Sequence, residues 1–133
     1  MSSFNDQMIA EFRENGGHLS RFPGSTMVLL HSIGAKSGEE RVHPLASLPD
    51  DGGWLIVASA GGQPQNPAWY YNLVAHPDTV IEVGTETIPV TASVVDDAAH
   101  ATAWKKLVDY MPGFGTYQER TERTIPVIRL TPR

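Results

Sequence analysis

Three strand-like runs separated by short glycine-bearing turns set the tightest limit on what this chain can become. Thr26–Ile33 is a continuous apolar stretch; residues 41–48 follow after Gly34-Ala35-Lys36-Ser37-Gly38, and residues 54–59 follow after Pro49-Asp50-Asp51-Gly52-Gly53. Parallel neighbours need a crossover of about a dozen residues or more, usually a helix. Turns this short therefore dictate an antiparallel meander and rule out a doubly wound parallel sheet.

The rest of the chain extends the pattern. Phe4, Met8, Ile9 and Phe12 recur at helical spacing until Asn15-Gly16-Gly17, which predicts an amphipathic helix over residues 3–15. Asn66-Pro67 reads as a helix start with proline in the first helical position, and His76-Pro77 as its stop. Residues 79–83 and 87–95 form a strand pair around Gly84. Asp96 or Asp97 caps a helix that carries Ala101, Trp104, Leu107, Val108 and Met111 on one face. Pro112-Gly113 breaks it, a short helical piece surrounds Tyr117, and residues 125–130 make a last strand. The expected fold is α+β: one domain, a six-stranded antiparallel split β-barrel with flanking helices.

At 133 residues the chain buries about two-thirds of its unfolded surface, enough for one core without crosslinks. It has no cysteine, which excludes disulfides, thiolate catalysis and cysteine-based metal centres. A net charge of -5 argues against nucleic-acid binding, so any anion site must be local. The five histidines are scattered without a helical ligand pair, so no metal site is expected. No run reaches the roughly 18 apolar residues of a membrane span, and no signal peptide opens the chain. The expected location is cytoplasmic, with the first helix as a weak membrane-surface contact.

Three stretches are candidates for chemistry. In Gly34-Ala35-Lys36-Ser37-Gly38-Glu39-Glu40-Arg41, glycines expose backbone N–H groups while Lys36, Ser37 and Arg41 add donors for an anion. It is not a Walker loop, since Lys36 precedes the second glycine; read alone, it is equally a solvated hairpin. Ala58-Ser59-Ala60-Gly61-Gly62 leaves a strand and leads to Asn66-Pro67-Ala68-Trp69-Tyr70-Tyr71-Asn72, where a helix start and aromatic surface fit an anionic, planar ligand. The competing reading is a glycine turn with Trp69 in the core. Met111-Pro112-Gly113-Phe114-Gly115-Thr116-Tyr117 is either a lid over a ligand or an apolar plug. With donors, glycines and aromatics but no evident acid–base pair, the chain suits an enzyme whose cofactor does the chemistry.

In this order, these signatures resemble the deazaflavin-dependent nitroreductase family: Leu29-Leu30 before the 34–38 turn, Arg41-Val42-His43-Pro44-Leu45, Ala58-Ser59-Ala60-Gly61-Gly62, Asn66-Pro67-Ala68-Trp69-Tyr70 with Asn72-Leu73, Pro112-Gly113-Phe114 with Tyr117-Gln118, and Arg123-Thr124-Ile125-Pro126-Val127. The resemblance runs from Phe4 to the C-terminus. It implies a split barrel that binds the deazaflavin coenzyme F420 and passes a hydride to an electron-poor acceptor such as a quinone, enone or nitro compound.

On that resemblance, Ala35, Lys36, Ser37 and Arg41 hold the coenzyme's phosphate and oligoglutamate tail. Val42, His43, Pro44, Leu45, Ala46 and Ser47 line its ring and linker. Val57, Ala58, Ser59 and Ala60 with Ala68, Trp69, Tyr70, Tyr71 and Asn72 complete the pocket, Phe114 covers it, and Tyr117 is the candidate proton donor. Relatives commonly carry lysine where Ala60 stands, and some carry tyrosine at the places of Ala46, Met111 and Phe114. A more apolar acceptor pocket is implied, favouring quinones and conjugated carbonyls over nitroimidazoles. The alternatives are an FMN-binding split barrel, dimeric or monomeric, and a non-catalytic flavin or haem carrier.

Overall fold

A computed structural model describes residues 4–19, 26–59, 62 and 64–133. The elements run α1 (Phe4–Glu14), β1 (Thr26–Ile33), β2 (Glu40–Asp50), β3 (Gly53–Val57), α2 (Ala68–Ala75), β4 (Asp78–Val83), β5 (Glu86–Val94), α3 (Asp97–Tyr110), α4 (Gly113–Glu119) and β6 (Val127–Pro132). The six strands close an antiparallel barrel in the order β1-β2-β3-β6-β5-β4, as expected. The predicted start of the first helix at residue 3 lies outside the described residues.

The continuous apolar stretch of β1 is Met27–Leu30, shorter than the strand, and both its faces are covered. Val28 and Leu30 point into the barrel with Ile56, Ile81, Val90, Ile128 and Leu130. Met27 and Leu29 point outward and pack beneath Met8 and Phe12 of α1 and beneath Leu19. β3 repeats the arrangement, with Leu55 and Val57 under Ala103 and Leu107 of α3 and Phe114 of α4. α1 is further anchored by Arg13, whose guanidinium donates to both Glu82 carboxylate oxygens at 3.1 and 2.8 Å, while His31 Nε2 meets Glu82 at 2.7 Å. The apolar face of α1 is therefore already covered by the barrel.

β2 changes partners along its length, and this splits the barrel. Residues 40–47 pair with β1, whereas only Leu48, Pro49 and Asp50 pair with β3. Pro44, which has no N–H to donate, falls in the half that is laddered to β1 alone. Asp51 and Gly52 make the β2–β3 turn with φ of 51° and 78°, the left-handed geometry that an Asp-Gly pair tolerates.

Several boundaries differ from expectation for identifiable reasons. α2 begins at Ala68 with Pro67 as its cap residue, and no side chain caps it. Asn66 does not cap because its Oδ1 accepts from Arg123 Nη1 at 2.7 Å. β3 ends at Val57, although Ala58 N–H still reaches Pro126 O at 3.0 Å. β6 starts at Val127 because Ile125 N–H is taken by Gln118 Oε1 at 3.0 Å. Asp96 does cap α3, accepting from Ala99 N–H at 3.0 Å, an interaction worth ~1 kcal/mol.

Candidate active site

The glycine hairpin between β1 and β2 and the first turns of α2 are 37 residues apart in sequence and touch in the fold, where Ala35 N–H donates to Asn72 Oδ1 at 3.0 Å. The hairpin itself is closed by Gly34 N–H to Glu39 O at 2.8 Å and Gly38 N–H to Gly34 O at 2.9 Å. Asn72 is fixed from the other side by its own amide, which donates to the buried Ser32 hydroxyl at 3.3 Å. Asn72 thus grips both the hairpin and β1, and one hydrogen bond ties the hairpin to the helix.

Between these elements lies an open cleft of about 780 Å³ lined by Gly34, Ala35, Lys36, Ser37, Arg41, His43, Ala68, Tyr71 and Asn72. Lys36 and Arg41 make it locally cationic in a chain of net charge -5. Arg41 carries an exposed ion pair with Glu39 at 3.2 Å, whereas Lys36 makes no ion pair among the described residues. His43 is held below its ordinary pKa by burial and by the neighbouring Arg41 charge, so a neutral imidazole faces the cleft at pH 7. The donors lining the cleft are one ammonium, one guanidinium and the hydroxyls of Ser37 and Tyr71, a set that matches an anion with several oxygens.

The remaining candidates from the sequence are distributed by simple geometry. Along β2, alternation turns Leu45 into the barrel, while Val42 and Ala46 lie outward beside α1. Ser47 is buried and donates to Thr26 O at 2.9 Å. Arg41 and His43, which line the cleft, share the face of Leu45 and Ser47, so Val42, Pro44 and Ala46 stand on the opposite side of the sheet.

Helical rotation likewise separates the three consecutive aromatics of α2, since successive side chains point about 100° apart. Trp69 is 6% exposed in the barrel interior, Tyr70 is half-buried against the same cluster, and Tyr71 is 53% exposed along the cleft. Ala58 is also interior, Val57 packs beneath α3, and Ser59 is half-buried with its carbonyl accepting from Arg123. Ala60 lies outside the described residues. Phe114 is 8% exposed within the α3–β3–β6 cluster, where Tyr117 and Met111 border it and Ala46 touches its edge. It does not line the cleft.

The chain matches the F420H(2)-dependent quinone reductase family over residues 5–132. It belongs to that family. A relative from Mycobacterium tuberculosis, an F420H(2)-dependent quinone reductase, is 40% identical over 129 residues, covering 93% of this chain and 87% of the relative. Among solved structures, an F420-H2 dependent reductase superposes with a TM-score of 0.72 at 36% identity, over 79% of this chain and 93% of that one. Another, described as a domain-swapped dimer, superposes with a TM-score of 0.75 at 32% identity over 94% of both chains. The haem storage protein HutZ of Vibrio cholerae, at 15% identity and a TM-score of 0.58, shares the barrel fold alone.

One residue escaped the reading of the sequence as a site. In the sequence Arg123 stands only as part of a closing signature, yet its guanidinium donates to Ala58 O, Ser59 O and Asn66 Oδ1 at once. A lone arginine before a strand carries no sequence signal of such a role. Its acceptors lie 57 to 65 residues away and are mostly main-chain oxygens.

Proposed function

We propose that this chain reduces small electron-poor acceptors, quinones first and enones or nitro compounds after them, using the reduced deazaflavin coenzyme F420. One observation carries the reading: the cationic hairpin and the α2 entrance meet across a single cleft, bridged by Ala35 and Asn72. The donor set fits the group. Lys36 Nζ, Ser37 Oγ and the Arg41 guanidinium supply charge-assisted hydrogen bonds to a phosphate and a polycarboxylate tail, each worth ~1.5–3 kcal/mol. FMN carries one phosphate and no acidic tail, so an open cleft with two separate cations favours F420.

The coenzyme, when bound, supplies two electrons as a hydride. What this chain adds is position and environment. The tail-binding cleft fixes one end of the ligand, with Arg41 and His43 on one face of β2 and Tyr71 along the α2 wall. Holding donor and acceptor within roughly 3–3.5 Å converts a bimolecular step into a unimolecular one. Neutral His43 accepts or donates one hydrogen bond without adding charge at the ring end of the cleft. Tyr117, in the cluster that Ala46 borders, is the hydroxyl assigned to proton delivery, and Tyr117→Phe tests it through a slower turnover at unchanged coenzyme affinity. Membrane association is not part of this reading, because Met8 and Phe12 are already covered by Met27 and Leu29.

The test is direct. Purified protein is titrated with F420 by fluorescence, then assayed for quinone consumption with the enzymatically reduced coenzyme. Saturable quenching together with quinone turnover is expected. Absent quenching, or a protein purified yellow with a flavin spectrum, overturns the assignment.

A further inference from the structure

The loop from β3 to α2 leaves the barrel at Ala58 and Ser59 and enters the helix at Asn66, and one side chain grips both ends. Arg123 Nη1 donates to Ala58 O at 3.2 Å and to Asn66 Oδ1 at 2.7 Å, while Nη2 donates to Ser59 O at 2.8 Å. A guanidinium is the only side chain whose rigid fork reaches three such oxygens together; a lysine is a point charge on a flexible stem. Arg123 is half-buried, where hydrogen bonds to an ionised group count for more than at the surface.

The backbone of Arg123 is held in turn by α4. Gln118 Nε2 donates to Arg123 O at 2.7 Å, and Gln118 Oε1 accepts from Ile125 N–H at 3.0 Å. Gly62 also sits directly against the C-terminal end of α4. A side chain at Gly62, where φ is +82°, would come within 2.7 Å of Tyr117 O and 2.8 Å of Arg120 Cβ. Through Arg123 and Gln118, α4 is thus linked to the end of β3 and to Asn66 before α2.

We infer that Arg123 is a positioning residue for the coenzyme cleft: by tying Asn66 to the end of β3, it sets where α2 begins, and with it the wall formed by Ala68, Tyr71 and Asn72. The coupling to the hairpin runs through Asn72, whose Oδ1 accepts from Ala35 N–H. A second consequence follows from the same contact. Since Asn66 is engaged by Arg123, it does not cap α2, and the first amides of the helix beside Ala68 keep no side-chain acceptor. Arg123 therefore fixes the placement of one cleft wall and keeps the helix entrance unblocked. This inference rests on the proposed function and concerns a residue outside the cleft lining.

The experiment compares wild type with Arg123→Lys, Arg123→Gly and Asn66→Ala, measuring F420 dissociation constants by fluorescence and quinone KM and kcat at saturating coenzyme. Arg123→Lys keeps the charge but loses the fork, and is expected to weaken F420 ~10-fold with quinone KM unchanged. Asn66→Ala removes one of the three acceptors without deleting the cation, and is expected to cost ~3-fold. Methylguanidinium at millimolar concentration should restore F420 affinity to Arg123→Gly, and methylammonium should not. If wild type binds F420 while Arg123→Lys binds it equally well at a lowered melting temperature, Arg123 is a fold staple and the inference fails. If Arg123 variants do not fold, Asn66→Ala decides: unchanged affinity overturns the inference. If wild type itself fails to bind F420, the proposed function is what has failed.

Discussion

Lys36→Ala isolates the cationic hairpin more cleanly than any other change. Lys36 is exposed, with no ion pair among the described residues, so removing its side chain should leave folding within about 0.5 kcal/mol of wild type. Its loss from a bound tail forfeits one charge-assisted hydrogen bond, ~1.5–3 kcal/mol, or roughly 10- to 150-fold in affinity. Exposure decides between the ends of that range. The cleft is open and salt screens charges over about 8 Å at physiological ionic strength, so the lower end, ~10-fold, is expected. Arg41 should behave differently. It already pairs with Glu39 at 3.2 Å, so Arg41→Ala removes a donor and also leaves Glu39 facing the acidic tail. Its penalty should exceed that of Lys36→Ala. By the same logic Glu39→Gln frees Arg41 and should tighten F420 ~2- to 5-fold. Fluorescence titrations at low and high salt read all three, with the Lys36→Ala deficit shrinking as salt rises. A Lys36→Ala affinity within twofold of wild type at low salt would refute the reasoning by removing the hairpin from the site.

The other expectations concern the frame. The Arg13 guanidinium, with His31, holds the Glu82 carboxyl below its ordinary 4.5, and Arg129 with Lys106 does the same for Asp50 below 3.8. A lowered folded pKa contributes stability that is present above the unfolded value and disappears as pH falls through the folded one. Melting temperature should therefore drop steeply below about pH 4.5, with a shallower fall in Glu82→Gln, which starts from a lower value at neutrality. Gly17→Ala places a Cβ 2.7 Å from Gly84 Cα at a φ of +95°, so it should destabilise by ~1–3 kcal/mol in urea denaturation. Phe12, 1% exposed on the barrel-facing side of α1, should cost ~3–5 kcal/mol when truncated to alanine. If α1 were instead held for a membrane, that truncation would leave the melting curve of the free protein unchanged.

Much of the fold was legible because its signals are local. Asp51-Gly52 makes a turn that admits positive φ, Asp96 reaches Ala99 N–H three residues on, and the run Met27–Leu30 is apolar because sheet interior and helix cover it from both sides. None of these needs a distant partner to be recognised. The boundaries that moved were those set by distant partners. Asn66 looks like a cap by every local rule and is not one, because Arg123 takes its oxygen.

The site divides along the same line. Residue types alone marked the hairpin from Gly34 to Arg41 as an anion-binding candidate, since glycine freedom and cationic donors are properties of the residues themselves. Which side chains share a face was decided by the fold. A strand alternates and a helix turns by about 100° per residue, so consecutive candidates such as Leu45 and Ala46, or Trp69, Tyr70 and Tyr71, are sent in different directions. That Asn72 meets Ala35, and that Arg123 closes the 58–66 loop, follows from barrel closure bringing separated segments within 3 Å or so of each other. Composition and order determined the kind of molecule this chain can bind; only the tertiary arrangement determined which of its residues stand together to do so.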